Sequence, residues 1–417
     1  MTNAPRTLYG CVIRVILVDR DRRALPGWAY PTRGGIVARL LAALALMALF
    51  AVPVSAAADE IAVVSKASDG HSRQPSVSGD GRYVAFESRA GNLVPDDYNG
   101  EYDVFVTDRV KGTITRVSTA ANGEEADEAS EMPTISADGR YVAFASVATN
   151  LVPGDTNDVL DVFVKDLVTG AVVRANVTAS GAQVDNVGDF PRISADGRHV
   201  SFTSYSPDLV PGDTNNNADG FVKNLDTGEI SLVTTNSDGS QWHHPHNAIY
   251  PISADGRRVT FQNARREVFV KDMSTGALTR IATAAEQPSI SADGTKVAFS
   301  SKGDVHVVDL TTGERTRVTN GDGGSRTPSV GANRVVFDSA ATNLVPGDTN
   351  GQIDVFVKDL GTGALTRVSV AASGAQANSW ANEAAISADG RVVAFTSDAT
   401  NLVPGDANSK TDVFATH

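Results

Sequence analysis

Five short segments of this sequence carry oxygen-bearing side chains at one fixed spacing, Asp-x-Asn-x3-Asp. Calcium is a hard cation that takes several oxygen ligands from carboxylates, amide carbonyls and the backbone. Each segment offers three such side chains, which predicts a calcium site in each of five loops. The predicted ligands are Asp97, Asn99 and Asp103; Asp155, Asn157 and Asp161; Asp213, Asn215 and Asp219; Asp348, Asn350 and Asp354; and Asp406, Asn408 and Asp412.

A structural role explains the same spacing. Asp and Asn side chains stabilise turns by bonding to their own backbone, and the last Asp of each segment can tie the loop to the strand that follows. Calcium loops usually carry a further acidic or amide residue at the fifth position. That position is not kept here, since it holds Glu101, Val159, Asn217, Gln352 or Lys410. Both interpretations stay open from the sequence alone.

A second group of candidates combines aromatic and imidazole side chains. It consists of Trp242, His243, His244 and His246, with Trp380 in the corresponding segment of the last repeat. Imidazole is a common ligand of transition metals, but Pro245 breaks the spacing and no carboxylate lies within the cluster. We expect these five residues to contact a partner. The alternatives are solvated histidines and a Trp380 that packs over a blade edge.

Motifs of common enzyme classes are absent from the sequence. It contains no G-x-S-x-G elbow and no H-E-x-x-H, P-loop or G-x-G-x-x-G motif. Carboxylates are too numerous to nominate an acid–base pair, and the acidic run 124–128 is typical of a solvated surface. No catalytic residue is predicted.

These candidates lie between copies of one repeat. The string S-A-D-G-R-x-V-A-F recurs six times with small changes, and a degenerate copy spans Ser329–Phe337. The acidic residues of the six copies are Asp80, Asp138, Asp196, Asp255, Asp293 and Asp389. Each copy precedes a D-V-F-V-K-D-like strand and, in six cases, a Thr-Gly-type turn and a T-R-V-S-like strand. The seven copies predict seven structural units, and the degenerate one leaves six as the alternative.

Each unit is predicted to hold four strands, a to d. Asp-Gly between strands a and b is a strong hairpin signal, because Gly tolerates the positive φ of tight turns. Strands b and c are nearly continuous runs of Val, Ala and Phe, whereas a sheet with one face in solvent would alternate. Sheets stacked around an axis bury both faces. The prediction is therefore an all-β, closed β-propeller, with seven four-stranded blades as the preferred count.

The two ends of the repeat region complement each other. The seventh copy stops within its strand c, at Asp412–Thr416, and has no strand d. Ile61–Ser65 resembles a strand d and precedes the first strand a. The N-terminal strand is therefore predicted to complete the last blade, which covers edges that an open sheet would expose.

The repeat resembles the WD40-like (PD40) repeat of the TolB C-terminal propeller and of peptidase-associated propellers. The shared element is the S-x-D-G-x-x-[VI]-A-F core with its following strand and T-G hairpin, and it covers nearly all of residues 59–417. The resemblance implies the fold. The chain has no room for the N-terminal domain of TolB, so no Tol-type role is implied.

The connections of a propeller divide between two faces. The a–b and c–d turns, rich in Gly, define the turn face; the b–c and d–a connections, which include the five Asp-x-Asn-x3-Asp segments, define the loop face. The b–c connections of blades four and five are short, about 263–266 and 301–303. A notch is therefore predicted over these two blades, and function is expected on the loop face.

Residues 1–58 differ in kind from the propeller region. Seven Arg precede or enter an apolar run, which ends at Ser55-Ala56-Ala57-Ala58. This pattern predicts a signal peptide, with an uncleaved anchor as the alternative and a start near Val37 also open. The only cysteine, Cys11, lies in this leader. The prediction is thus a leader over 1–58 and a secreted or cell-envelope propeller over 59–417, without stable membrane insertion.

The region after the leader has 29 basic and 47 acidic residues, a formal net charge of −18. Such a surface repels phosphate backbones, so nucleic-acid partners are not expected. We expect a monomeric, non-catalytic module that binds a protein or glycan outside the cytoplasm, with calcium as its only expected cofactor. The alternative is a carbohydrate-active lyase or glycosidase with its site at the channel mouth.

Overall fold

The computed structural model describes residues 61–66, 68–242 and 250–416. These residues form 27 antiparallel β-strands in seven sheets and no helix. None of their segments is a helix long and apolar enough to cross a membrane. The prediction of an all-β, seven-bladed propeller is confirmed.

Within each blade the strands follow the chain from a to d. Blades one to three comprise β2 (Ser72–Val77), β3 (Tyr83–Ser88), β4 (Asp103–Asp108) and β5 (Thr113–Arg116); β6 (Ser130–Ile135), β7 (Tyr141–Ser146), β8 (Asp161–Asp166) and β9 (Val172–Arg174); and β10 (Gly188–Ile193), β11 (His199–Ser204), β12 (Asp219–Asn224) and β13 (Ile230–Leu232).

Blades four to six continue the pattern. They comprise β14 (Arg258–Gln262), β15 (Val268–Asp272) and β16 (Leu278–Ala282); β17 (Ala285–Ile290), β18 (Lys296–Ser301), β19 (Asp304–Asp309) and β20 (Arg315–Arg317); and β21 (Ser325–Gly331), β22 (Arg334–Ser339), β23 (Asp354–Asp359) and β24 (Leu365–Arg367). In blade four an isolated bridge between Ile252 and Val259 takes the place of strand a.

Blade seven is built from both ends of the described chain. It comprises β25 (Ala381–Ile386), β26 (Val393–Ser397), β27 (Asp412–Thr416) and β1 (Ile61–Val63). Strand β1 pairs with β27, with Ile61 opposite Thr416 and Val63 opposite Phe414. The backbone N–H of Val64 donates to the carbonyl of Val413 at 2.8 Å. The predicted closure by the N-terminal strand is thereby confirmed.

The repeat motif fixes the turn face. In blade one, Ser78 Oγ donates to Asp80 at 3.0 Å and accepts the N–H of Tyr83 at 2.9 Å. Arg82 reaches across to Asp108 at the end of strand c, at 2.7 Å. That hydrogen bond lowers the pKa of Asp108 to about 2. The Ser-x-Asp-Gly-Arg string therefore joins both hairpins of a blade at one end.

The hydrophobic core lies between successive blades. Phe86 and Phe105 stack across strands b and c of blade one, with centroids 5.8 Å apart, and the same pair recurs around the ring. One buried cluster joins Val104 and Val106 of blade one to Val142 of blade two. Burial of both sheet faces explains why strands b and c do not alternate.

Candidate functional site

The Asn of each Asp-x-Asn-x3-Asp segment clasps two loops together. In all five, its Nδ2 donates to a backbone carbonyl of the d–a connection; the acceptors are Ala126, Val184, Trp242, Ala377 and Ser68, at 2.8–3.2 Å. In four, its Oδ1 accepts the N–H of the residue two positions later. The residue after the Asn has positive φ, as in Asp158 at 52° and Ser409 at 55°.

In three blades an arginine from strand d lies between the two Asp side chains. Arg174 Nη1 lies 2.8 Å from Asp155 and 2.9 Å from Asp161. Its side chain is 9% exposed, and theirs are 4% and 1% exposed. Arg367 makes the same pair of contacts in blade six, at 3.1 and 3.4 Å. The guanidinium thus neutralises the paired carboxylates from within the blade.

Blade one adds a third carboxylate to this arrangement. Carboxylate oxygens of Asp97, Asp103 and Glu125 lie within 4.8 Å of one another, a spacing compatible with a metal ion. Arg116 Nη1 approaches all three, at 3.7, 3.7 and 2.5 Å. Burial raises the pKa of Asp103 to about 6. A cation at this acidic site would compete with the guanidinium already there.

Blades three and seven lack this arginine. Leu232 and Val63 stand in its place opposite the strand c phenylalanine. In blade three, Gln241 Nε2 donates to Asp213 at 2.7 Å and to Asp219 at 3.0 Å. In the described part of blade seven, no Lys or Arg nitrogen lies within 4 Å of Asp406 or Asp412.

Asp412 is bonded instead by neutral groups. Ser65 Oγ donates to it at 2.7 Å and Asn408 Nδ2 at 3.0 Å. Burial raises the pKa of both Asp406 and Asp412. The five loops, alike in sequence, therefore differ in how their carboxylates are balanced.

The b–c connections of blades four and five are short, as the sequence indicated. Strands b and c of blade five are joined by Lys302 and Gly303 alone, both with positive φ. Beside this turn lies a hollow of about 300 Å³, lined by residues of blades five and six that include Glu286, Arg326 and Ile353. Arg266 of blade four pairs with Glu286 at 2.9 Å. Charged side chains therefore lie at the place of the predicted notch.

The aromatic candidates are half-buried. Trp242 packs on Phe261 and Phe269, with centroids 5.4 and 5.0 Å away, and donates from Nε1 to Asn236 at 2.9 Å. Trp380 is also half-buried. His243, His244 and His246 lie outside the described residues. Packing thus accounts for much of the Trp242 surface.

The a strands of the blades surround a central channel of about 680 Å³. In six of them a bulge interrupts the pairing with strand b. Each bulge holds a non-glycine residue of positive φ: Gln74, Met132, Phe190, Gln287, Thr327 and Glu383, at 49–54° or, for Met132, 56°. Such backbone is uncommon and marks positions worth examining for function.

Side chains from strand b of the preceding blade accept the N–H groups of several bulges. Met132 donates to Glu87 at 2.7 Å, and Glu383 donates to Asp338 at 3.3 Å. Glu87 is 0% exposed and Asp338 is 1% exposed. Burial raises the pKa of Glu87, and it raises that of Asp338 to about 6. Buried carboxylates therefore lie behind two of the bulges that line the channel.

Sequence reasoning missed both the internal arginines and the buried carboxylates. The arginine of the T-R-V-S strand recurs in the repeat, but its pairing with Asp residues 13 positions earlier needs the strand register. The residue of strand b that holds Glu87 and Asp338 is Ala145 or Ser300 in other blades. An acid at a position that is neutral in the other five blades was the available signal.

The comparisons with known proteins concern the fold. An oligogalacturonate lyase in complex with manganese superposes with a TM-score of 0.56 at 14% identity, over 87% of this chain and 94% of that chain. An oligogalacturonate lyase from Vibrio parahaemolyticus gives 0.54 at 13% identity, over 87% and 94%. A putative TolB from Agrobacterium tumefaciens gives 0.41 at 16%, over 73% and 93%.

The shared feature is the propeller. The propeller fold that the repeat implied is thus confirmed. No family model and no curated protein matches the sequence. One of these neighbours holds manganese, and this chain has an acidic site of its own in blade one.

Proposed function

We propose that this protein is an exported, non-catalytic binding module that presents its loop face to a protein or glycan. The observation that carries this proposal is that hydrogen bonds and ion pairs hold the loops of the loop face together. Buried carboxylates, arginines and asparagine amides hold the b–c and d–a connections to each other in five blades. Loops fixed before binding lose less conformational entropy on association.

The state of the acidic residues favours binding over catalysis. A general acid or base must come within hydrogen-bond reach of its substrate. Asp103, Asp219 and Asp338, whose pKa values burial raises to about 6, are 0%, 0% and 1% exposed. They bond to groups of the fold and are covered by it.

The notch is the proposed contact region. It lies beside the hollow that Glu286, Arg326 and Ile353 line, and the Arg266–Glu286 pair is accessible, at 58% and 42% side-chain exposure. Trp242 on blade four and Trp380 on blade seven add half-buried aromatic surface to the loop face. We retain His243, His244 and His246 as proposed contacts on the same connection as Trp242.

The remaining expectations belong to the same proposal. Export by residues 1–58 places the module outside the cytoplasm or in the cell envelope, as a monomer without stable membrane insertion. The acidic surface favours basic or neutral partners over nucleic acid.

Calcium is proposed for the blade-seven loop before the others. Among the residues of the described ranges, no arginine or glutamine amide balances Asp406 and Asp412, unlike the pairs in blades one, two, three and six. Calcium at the other four loops requires displacement of the guanidinium or amide. Any binding at blade seven would stabilise the folded state by mass action.

The proposal is tested with a glycan array and a pull-down on the purified protein, with and without calcium. The variant Arg326→Ala with Arg266→Ala removes charge beside the notch, and Arg391→Ala on the turn face is the matched control. The expected result is a ligand whose binding weakens in the first variant only. Equal binding by both would exclude the notch as the contact region.

A carbohydrate-active enzyme is the second candidate, favoured by one observation. Asp338 Oδ1 is buried without a hydrogen-bond partner in the described structure, and Glu383, whose N–H contacts the same carboxylate, lines the channel. The fold neighbours include oligogalacturonate lyases. Incubation with oligogalacturonate and manganese, followed by ultraviolet absorbance of unsaturated product, tests this candidate. Product formation abolished by Glu383→Gln, the acid that lines the channel, would replace the binding-module proposal.

A further inference from the structure

The channel interior carries a ring of hydrogen-bond donors at one level. In each bulged strand a, the residue two positions after the bulge residue contributes its side chain to the channel lining. At this level lie Ser76, Thr134, Arg192, Ser289, Ser329 and Ala385. Four of the six are hydroxyls and one is a guanidinium.

Three of these hydroxyls already use their oxygen as an acceptor. Ser76 Oγ accepts the N–H of Ile135 at 3.2 Å, and Thr134 Oγ1 accepts that of Ile193 at 3.0 Å. Ser289 Oγ likewise accepts a backbone N–H of the next blade, at 3.1 Å. A hydroxyl has one hydrogen to donate, and within the described chain these three find no acceptor for it. Their hydrogens are available to a ligand in the channel.

Arg192 is the only basic residue in the channel lining that the structure describes. Its Nη1 donates to the carbonyl of Pro191 at 2.7 Å. No carboxylate oxygen of the described residues lies within 4 Å of its guanidinium, although Asp189 is three positions away in the same strand. Burial lowers the pKa of Arg192 to about 10, so the side chain remains protonated at neutral pH. Most of its five donors have no acceptor among the described residues.

The one acidic residue in this lining, Glu383, is far from Arg192 around the ring. Blades three and seven are three steps apart, the largest separation that seven blades allow. Glu383 Oε2 already accepts the N–H of Gln74 at 3.0 Å and the hydroxyl of Thr396 at 3.1 Å. The donors around Arg192 are therefore not neutralised by this carboxylate.

We propose that the central channel binds a small oxyanion, a carboxylate or phosphate group on a small polar molecule, through Arg192 and the hydroxyls of Ser76, Thr134 and Ser289. Guanidinium is suited to planar, bidentate recognition of both groups. The channel volume of about 680 Å³ lies within the usual range of small-ligand sites. This site lies inside the ring and is independent of the proposed contact region at the notch.

Isothermal titration calorimetry of the purified protein tests this site with three probes: inorganic phosphate, gluconate and neutral glucose. We expect one or both anions to bind and glucose not to bind. Phosphate alone would identify the phosphate source, and gluconate alone the carboxylate source. Absence of binding by both anions, or equal binding of glucose, would overturn the proposal.

The variant Arg192→Gln removes the guanidinium, and Arg391→Gln removes an 84% exposed one on the turn face as the matched control. Loss of the charged partner is expected to weaken anion binding by about tenfold or more, whereas the control should bind as the wild type does. Anion binding unchanged in Arg192→Gln would contradict the assignment. If that variant does not fold, Ser76→Ala supplies the test: weaker binding supports the site, and unchanged binding contradicts it.

Discussion

Replacing Arg174 by Gln tests the idea that an internal guanidinium balances the Asp-x-Asn-x3-Asp loop. In blade two its Nη1 lies within 2.9 Å of both Asp155 and Asp161, and all three side chains are at most 9% exposed. Removing one partner of a buried ion pair leaves an uncompensated charge, at a cost of roughly 3–5 kcal/mol. Here two carboxylates lose their cation, so we expect a loss near that range.

The assay is urea denaturation at neutral pH, with the free energy of unfolding compared between wild type and variant. Arg280→Gln is the matched control. Arg280 stands at the equivalent place in blade four and pairs with Glu267, and the Arg280 side chain is 59% exposed. An exposed pair of that kind contributes about 0–1 kcal/mol. A similar small loss in both variants would refute the reasoning.

A calcium titration of the Arg174→Gln protein extends the same test. If the guanidinium occupies the place that a cation would take, calcium should recover part of the lost stability in the variant. Calcium should change the unfolding midpoint of the wild type less, since three of the five loops are already balanced by arginine. Recovery of the same size in both proteins would show that Arg174 does not compete with the metal.

Three further predictions follow from the same contacts. Burial raises the pKa of Asp338 to about 6 in the folded state, against about 3.9 in the unfolded chain, so the protonated carboxyl favours folding at low pH and this stabilisation is lost as the pH rises from about 4 to about 6. Chemical denaturation should therefore show that Asp338→Asn is more stable than the wild type at neutral pH and loses this advantage near pH ~4.5. Deletion of residues 61–65 exposes the edge of β27 and should lower the thermal midpoint and promote oligomers in size-exclusion chromatography; an unchanged midpoint would contradict closure. If the wild type unfolds at a higher temperature in calcium than in EDTA, Asp406→Asn should abolish this difference and Asp155→Asn should keep it. The reverse pattern would place the metal elsewhere.

Much of the fold followed from the sequence because its signals are local. Asp-Gly turns, uninterrupted Val-Ala-Phe strands and a strand c without a strand d each act over a few residues, and Ile61 and Thr416 meet as that pattern requires. The short b–c connections of blades four and five could also be located from the sequence.

The site was less predictable, because it depends on register. Arg174 reaches Asp161 only because strands c and d pair with Phe163 opposite Arg174. The bulge before Pro191 shifts the pairing between Asp189 and Arg192, and a shift of one residue exchanges the faces of a strand. The sequence P-R-I-S stands where blades one, two, five and six have P-S or P-T, but only the structure places Arg192 in the channel.

A loop graft tests the central claim, that the notch of the loop face is the contact region. Replacing Lys302 and Gly303 with the blade-six connection 340–353 fills the notch with a loop that this chain already folds. Replacing the blade-two connection 147–160 with the same segment, which is of equal length, is the control. On the glycan array and in the pull-down, we predict that the first graft loses the ligand of the wild type and the second retains it. Retention of that ligand by a folded first graft would contradict the account.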